Sequence, residues 1–249
     1  MRAFYFYIFI ICASTHCIAG QSYSFLAKAE SHYKSVISGS LNSSGGKKVI
    51  DSMLSLPADS VNFARAYGIS WAIGRFLLEQ GNHAKALDIF NDIRHYLDSK
   101  TPKSKEDQKM IASVLNVIGA IYEETGLWND ALAMYMNSLQ VCNTIDDKAG
   151  KAKVYNNIGN LYFNRNELNK AEDLFNKAVE INKILNIRPE LFNNYNNLAG
   201  VYNRRHDSNR ALEYALIGLN QLDINRDFYD LSIAYSNIGS LYQDMGNFL

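Results

Sequence analysis

The hydrophobic pattern of this chain predicts an all-α protein. From residue 61 onward, apolar residues recur three and four positions apart in successive blocks, a spacing typical of amphipathic helices. Short stretches containing Gly, Asn or Asp separate the blocks, for example at Gly81-Asn82, Gly126 and Asp207-Ser208, and these predict tight turns. We therefore expect antiparallel helix pairs along this part of the chain.

A second pattern repeats at a fixed interval. A small residue is followed three residues later by Tyr or Leu, nine further on by Ala, and four after that usually by a large aromatic residue. The small residues are Gly74, Gly119, Gly159, Ala199 and Gly239. The last four lie 40 residues apart, whereas the first interval is 45 residues, which predicts a longer loop around residues 98–105. Small side chains at these positions would let two helices approach closely.

This pattern resembles the tetratricopeptide repeat, in which Leu-Gly-x-x-Tyr precedes Ala-x-x-x-Phe. The resemblance implies a right-handed α-solenoid and a protein-binding role. The interval of 40 is similar to that in bacterial peptide-sensing regulators and kinesin light chains. Together with the apolar run near its N-terminus (residues 4–13), the repeats make the chain look like the exported repeat region of bacterial, Bacteroidota-like envelope proteins or sensors. The expected array covers residues 61–249, with repeats at about 61–97, 106–143, 147–186, 189–226 and 229–249, the last of them incomplete.

The first 60 residues differ from the array. Arg2 precedes the apolar run 4–13 and then small residues up to Gly20, the layout of a secretory signal peptide over residues 1–20. An uncleaved anchor is the alternative, although the run is short for a membrane span. Residues 21–60 are expected to form a helical cap, because terminal repeats are often atypical. Since the last repeat ends after one helix, we expect either a truncated chain or a partner that covers this helix.

Composition narrows the classes of function. Lys+Arg and Asp+Glu number 25 each, so no strong charge favours nucleic acid or an anionic membrane. None of the five histidines has metal-ligand spacing to another His or to Cys, and no phosphate loop or nucleophile motif is present. The acidic pair Glu123-Glu124 is expected to be solvated. Cys142, the one cysteine that remains after removal of the signal peptide, is expected to be an inert thiol. We therefore predict a protein that is not an enzyme and has neither a metal nor a cofactor.

Asparagine supplies the candidate binding residues. Amides cluster near the Gly or Ala of each first helix, the helix that lines the groove in tetratricopeptide repeats. They are Asn116, Asn156, Asn157, Asn160, Asn196, Asn197, Asn203 and Asn237. Because an amide both donates and accepts hydrogen bonds, such a row could hold the backbone of an extended peptide. Alternatively, the amides bond backbone and water between repeats. Trp71, Trp128 and Phe163 could anchor a partner side chain, although core packing is the other explanation.

Two functions from different classes follow. The first is a scaffold in the bacterial envelope, periplasmic or secreted, that binds a protein or an extended peptide. The second is the sensory N-terminal region of a larger membrane signalling protein, a histidine kinase or a helix-turn-helix regulator, anchored by a segment beyond residue 249. Self-association through the incomplete last repeat is a further expectation, and an enzyme within the array is the least supported alternative.

Overall fold

The computed structural model describes residues 63–246, with side chains from residue 67, and this range contains nine helices and no strand. The predicted signal peptide (1–20) and the predicted cap (21–60) lie outside the described residues, as do residues 61–62 and 247–249 of the expected array. The helices are α1 (Phe63–Glu79), α2 (His83–Ser99), α3 (Lys105–Glu124), α4 (Trp128–Thr144), α5 (Lys148–Asn164), α6 (Leu168–Leu185), α7 (Arg188–Arg204), α8 (Ser208–Leu219) and α9 (Phe228–Asp244).

The described residues fall into two compact units, 63–103 and 104–246. The described part of the first unit is the helix pair α1–α2. A Cβ atom at Gly74 would lie 2.7 Å from the ring of Phe90, and Trp71 meets the same ring edge-on, with ring centroids 5.2 Å apart. The glycine therefore allows α2 to place a fully buried ring directly against α1.

The second unit stacks three helix pairs and then α9. In the pairs α3–α4 and α5–α6 the same close contact recurs, since a Cβ atom at Gly119 or Gly159 would lie 2.6 or 2.5 Å from the ring of Tyr135 or Phe175. These four residues repeat the relation seen in the first unit, with the ring sixteen residues after the glycine. In the pair α7–α8, Ala199 and Ala215 replace the glycine and the ring, and both are buried.

Apolar clusters join each helix pair of the second unit to the next helix. One cluster contains Ala131 and Tyr135 of α4 with Ile158 of α5. Another contains Phe175 of α6 with Leu198 of α7, and a third joins α7 and α8 to α9. The core is thus continuous from pair to pair, so contacts with the neighbouring pairs add to the stability of each pair.

The turns between helices follow the residues that the sequence places there. Gly126, Asn166 and His206 each end a first helix with a positive φ, of 79°, 60° and 60°, a conformation that Gly adopts freely and Asn more readily than most residues. At the start of α3, Ser104 and Asp107 form a reciprocal capping box. Within residues 63–246, none of the helices combines the length and apolar character that crossing a membrane requires.

Candidate peptide-binding face

The predicted asparagines all lie on first helices of the second unit. Asn116 is on α3; Asn156, Asn157 and Asn160 are on α5; Asn196, Asn197 and Asn203 are on α7; and Asn237 is on α9. Asn203 is exposed, and the other seven are half-buried. We call the surface that these residues form on α3, α5, α7 and α9 the first-helix face.

Hydrogen bonds between asparagines connect each first helix to the next. The Nδ2 atom of Asn157 donates to Oδ1 of Asn116 at 3.1 Å. In the same way Asn197 donates to Asn156 at 2.9 Å, and Asn237 donates to Asn196 at 2.7 Å. Each of these three rungs joins residues 41 positions apart, one more than the repeat interval. The asparagines therefore lie side by side across neighbouring helices and also bond to one another.

A chain of buried amides supports the middle rung from inside. Asn182 of α6 donates to Oδ1 of Asn194 at 2.8 Å, and Asn194 donates to Oδ1 of Asn156 at 2.9 Å. Asn182 and Asn194 are only 2% and 1% exposed. Because Oδ1 of Asn156 also accepts from Asn197, both of its lone-pair directions are occupied. The side-chain N–H groups of Asn156 therefore remain available to donate hydrogen bonds to a ligand.

Asn182 and Asn194 were not among the residues predicted from the sequence, although a signal was present. At the position of Asn194 the neighbouring repeats carry Val114 and Val154, which are buried and apolar. At the position of Asn182 the preceding repeat carries the buried Cys142. A polar residue in a column that is otherwise apolar marks a site where a specific hydrogen bond is needed.

The rungs leave hydrogen-bonding capacity unused on the first-helix face. Each rung takes one N–H of the donor amide and the oxygen of the acceptor amide, but a primary amide has two N–H groups and two lone pairs. The accepting asparagines, including Asn116 and Asn196, keep their N–H groups, and the donating asparagines, including Asn157 and Asn237, keep a carbonyl oxygen. The face therefore presents unused amide donors and acceptors on neighbouring helices.

A cleft of about 240 Å³ opens on this face between α5, α7 and α9. Its apolar surfaces include Phe163, Ala199 and Leu241, and its polar surfaces are amides and the hydroxyl of Ser240. Four of the predicted asparagines line it, namely Asn196, Asn197, Asn203 and Asn237. The structure thus brings half of the predicted binding residues together around one cavity, whereas Asn116, Asn156, Asn157 and Asn160 lie along the same face beside it.

Arg204 holds the aromatic part of the cleft in place. Its guanidinium lies 3.8 Å from the centroid of the Phe163 ring, and its Nη1 donates to the backbone oxygen of Phe163 at 2.6 Å. Residues Phe163 and Arg204 are again 41 positions apart, like the amide rungs. A cation over the ring and a bond to the backbone of the same residue fix the orientation of Phe163.

Two carboxylates tie helices together near this face, with opposite effects on their pKa values. Burial raises the pKa of Glu123, although its carboxylate accepts from Oη of Tyr135 at 2.8 Å and from Nδ2 of Asn164 at 2.9 Å. Burial also acts to raise the pKa of Glu172, but hydrogen bonds from Tyr202 and Arg205 outweigh it and lower the pKa. Both carboxylates have structural partners, so neither is arranged as a free acid or base.

Other side chains singled out in the sequence have different surroundings. Trp71 packs within the first unit against Phe90. Trp128 is 36% exposed, beside Leu127, at the turn between α3 and α4. Cys142 is buried, and burial raises the pKa of its thiol to about 11, so the reactive thiolate is scarce at neutral pH. In the described part of the chain, no three His, Cys, Asp or Glu residues are grouped so that they could hold a metal ion.

Comparisons with known proteins agree with this architecture. A family model described as tetratricopeptide repeat matches residues 110–184, which cover α3 from Met110 to nearly the end of α6. No curated protein matches the chain. Among solved structures, the chain is similar to BtubC (BKLC) from P. vanneervenii, with 16% identity and a TM-score of 0.64, covering 94% of this chain and 86% of that one.

A second solved structure, MamA, is 20% identical with a TM-score of 0.46, covering 70% of this chain and 85% of that one. The similarity to BtubC shows a shared fold. The family match rests on α3 to α6, where the recurring Gly119 and Gly159 accept the rings of Tyr135 and Phe175. Together, the matched segment, the paired helices and the close contacts at Gly119 and Gly159 show that residues 110–184 form tetratricopeptide repeats within an all-α array of helix pairs.

Proposed function

We propose that this chain is a non-enzymatic scaffold that binds an extended segment of another protein along the first-helix face. Tetratricopeptide repeats indicate a protein-interaction scaffold. The finer assignment rests on one observation, the row of amides that continues over α3, α5, α7 and α9 with unused N–H groups and oxygens.

The chemistry of the row favours an extended segment over a helix. An extended peptide presents free N–H and C=O groups along its length, whereas a helix satisfies most of its own. A row of amides that offers both donors and acceptors matches the extended backbone, and such bonds would depend little on the side chains of the peptide. The balanced charge of the chain, with 25 basic and 25 acidic residues, supplies no competing electrostatic basis for recognition.

Removing amides that do not take part in the rungs tests this proposal without disturbing the fold. We would select a dodecapeptide from a random library on the full chain, label it with fluorescein, and measure its Kd by fluorescence anisotropy. The double variant Asn160→Ala/Asn203→Ala is expected to weaken binding about tenfold, because two hydrogen bonds to the peptide backbone are lost.

The matched control is Asn137→Ala/Asn209→Ala, which removes two exposed amides from the second helices α4 and α8. This control should bind the same dodecapeptide with the affinity of the unchanged protein. Equal weakening by both double variants, or no weakening by the first, would overturn the assignment of the first-helix face.

Export from the cytoplasm is part of the proposal and rests on the sequence of residues 1–20 alone. The basic start, the apolar run and the small residues that follow support cleavage by signal peptidase. N-terminal sequencing of the protein isolated from its own cells should give a first residue of Gly20 or Gln21. A chain that still begins at Met1 would contradict a cleaved signal.

A further inference from the structure

Gly200 departs from the other repeats at its position on the first-helix face. The equivalent residues one repeat apart are Ala120, Asn160 and Ser240, all of which carry a side chain. The backbone at Gly200 is helical, and a glycine inside a helix costs about 0.5–1 kcal/mol relative to alanine. A Cβ atom here would lie 3.4 Å from Cζ of Phe163. The missing side chain therefore keeps space open beside that ring.

Phe163 is also unusual at its position. The equivalent residues are Glu123, Asn203 and Gln243, which are polar, as expected for a face in contact with water. The Phe163 ring is half-buried and belongs to the lining of the 240 Å³ cleft. It is held on one side by Arg204, whose guanidinium lies 3.8 Å from the ring centroid. The apolar ring of Phe163 on α5 is thus held in place before any ligand binds, next to the position on α7 where Gly200 lacks a side chain.

The size of the cleft limits what it can hold. Pockets for complete small molecules measure about 300–1,000 Å³, so a cleft of about 240 Å³ is better matched to one large side chain. None of the described residues that line it carries a carboxylate, and the guanidinium of Arg204 lies next to it. Both facts disfavour a Lys or Arg side chain. A side chain that enters the cleft would pack against the Phe163 ring, which favours an aromatic or large aliphatic group.

Amides surround this apolar surface. Asn196 and Asn197 lie on one helix and Asn237 on the next, and all three line the cleft. A side chain that entered it would place its own backbone against these amides. The cleft and the amide row therefore fit one ligand, a peptide held by its backbone and by one inserted side chain.

We propose that the cleft between α5, α7 and α9 is a specificity pocket that receives one aromatic or large aliphatic side chain of the bound peptide. Gly200 provides the opening, and Phe163 provides the surface on which the side chain packs. The inference rests on the proposed binding of an extended segment. The pocket would give the first-helix face a preference for peptide sequence, because the amides alone bind only the peptide backbone.

The test uses a dodecapeptide selected on the full chain and a set of versions in which each residue in turn is replaced by alanine. Replacement of one aromatic or large aliphatic residue should weaken binding at least about tenfold, as for a buried anchor at an interface. Gly200→Asn, which introduces the residue found at Asn160, should weaken the original peptide to a similar extent. It should also abolish the difference between that peptide and its alanine version.

Ala120→Asn is the matched control, since it introduces the same residue at the equivalent repeat position of a helix that does not line the cleft. Phe163→Gln, which introduces the residue found at Gln243, gives a second variant that makes the pocket polar if Gly200→Asn fails to fold. Circular dichroism and thermal unfolding establish folding for each. Loss of the anchor preference in Gly200→Asn or Phe163→Gln, but not in Ala120→Asn, supports the pocket.

Two results would overturn it, and they separate the pocket from the function on which it rests. If Gly200→Asn and Phe163→Gln keep the anchor preference while Asn160→Ala/Asn203→Ala loses affinity, the pocket is wrong and the first-helix face remains the binding surface. If none of these variants changes affinity, both proposals fail.

Discussion

At the scale of single residues, the fold depends on a glycine and a ring that share one space. Gly159 lies where a Cβ atom would be 2.5 Å from Cε1 of Phe175, a ring with no exposed surface. Gly239 occupies the same position of its repeat, but among the described residues nothing lies within 4 Å of a Cβ atom placed there. The same repeat position therefore requires glycine where an aromatic ring packs against it and accepts a larger residue where no ring does.

This difference predicts opposite effects for the same substitution. Gly159→Ala should lower the free energy of unfolding by about 1–3 kcal/mol, because the added methyl overpacks the contact with Phe175. Gly239→Ala should raise it by roughly 0.5–1 kcal/mol, because alanine costs less than glycine in a helix. Urea unfolding followed by circular dichroism at 222 nm measures both.

A third variant copies the native pair Ala199 and Ala215, in which alanines take the place of the glycine and the ring. Combining Gly159→Ala with Phe175→Ala should relieve the overpacking, so the two losses should not add. If Gly159→Ala and Gly239→Ala change stability equally, the ring contact is not what restricts position 159.

At the scale of helices, polar bonds set how neighbouring first helices are aligned. The amide rungs and the bond from Arg204 to Phe163 all join residues 41 positions apart. Each such bond contributes about 0.5–1.5 kcal/mol on average. Burial of the hydrogen-bonded amides of Asn182, Asn194 and Asn156 removes them from water, and their mutual hydrogen bonds must offset this loss of hydration. The three amides therefore stabilise the fold only while each of them keeps its hydrogen-bond partner.

The buried amides predict a loss that a second substitution repairs. Asn194→Val, which introduces the residue found at Val154, leaves the amide of Asn182 without its acceptor and should cost about 1–3 kcal/mol. Adding Asn182→Cys, the residue found at Cys142, should restore most of that loss by removing the orphaned amide. Urea unfolding of the two variants checks this, and a double variant that is less stable than Asn194→Val would contradict it.

At the scale of the whole molecule, the sequence predicted the repeats because the constraint that creates them is local. Gly119, Gly159, Ala199 and Gly239 recur at one interval of 40 residues, and the apolar spacing predicts the helices around them. The sequence also placed the asparagines on first helices.

The sequence did not predict which asparagine bonds to which. A rung between Asn116 and Asn157 depends on the stagger of two packed helices, and this stagger is a tertiary property. The cleft beside Gly200 was missed for the same reason, because its walls come from α5, α7 and α9. An alignment of the repeats, in which Gly200 and Phe163 each break their column, was the available signal.

The most direct test of the central claim is to observe the asparagine side chains while a peptide binds. The side-chain amide resonances of the 15N-labelled chain can be followed by NMR as a selected dodecapeptide is added. We predict that the resonances of Asn160, Asn196 and Asn203 shift on binding, whereas those of Asn137 and Asn209 do not. Shifts confined to the second helices, or to the exposed turn at Trp128, would contradict binding at the first-helix face.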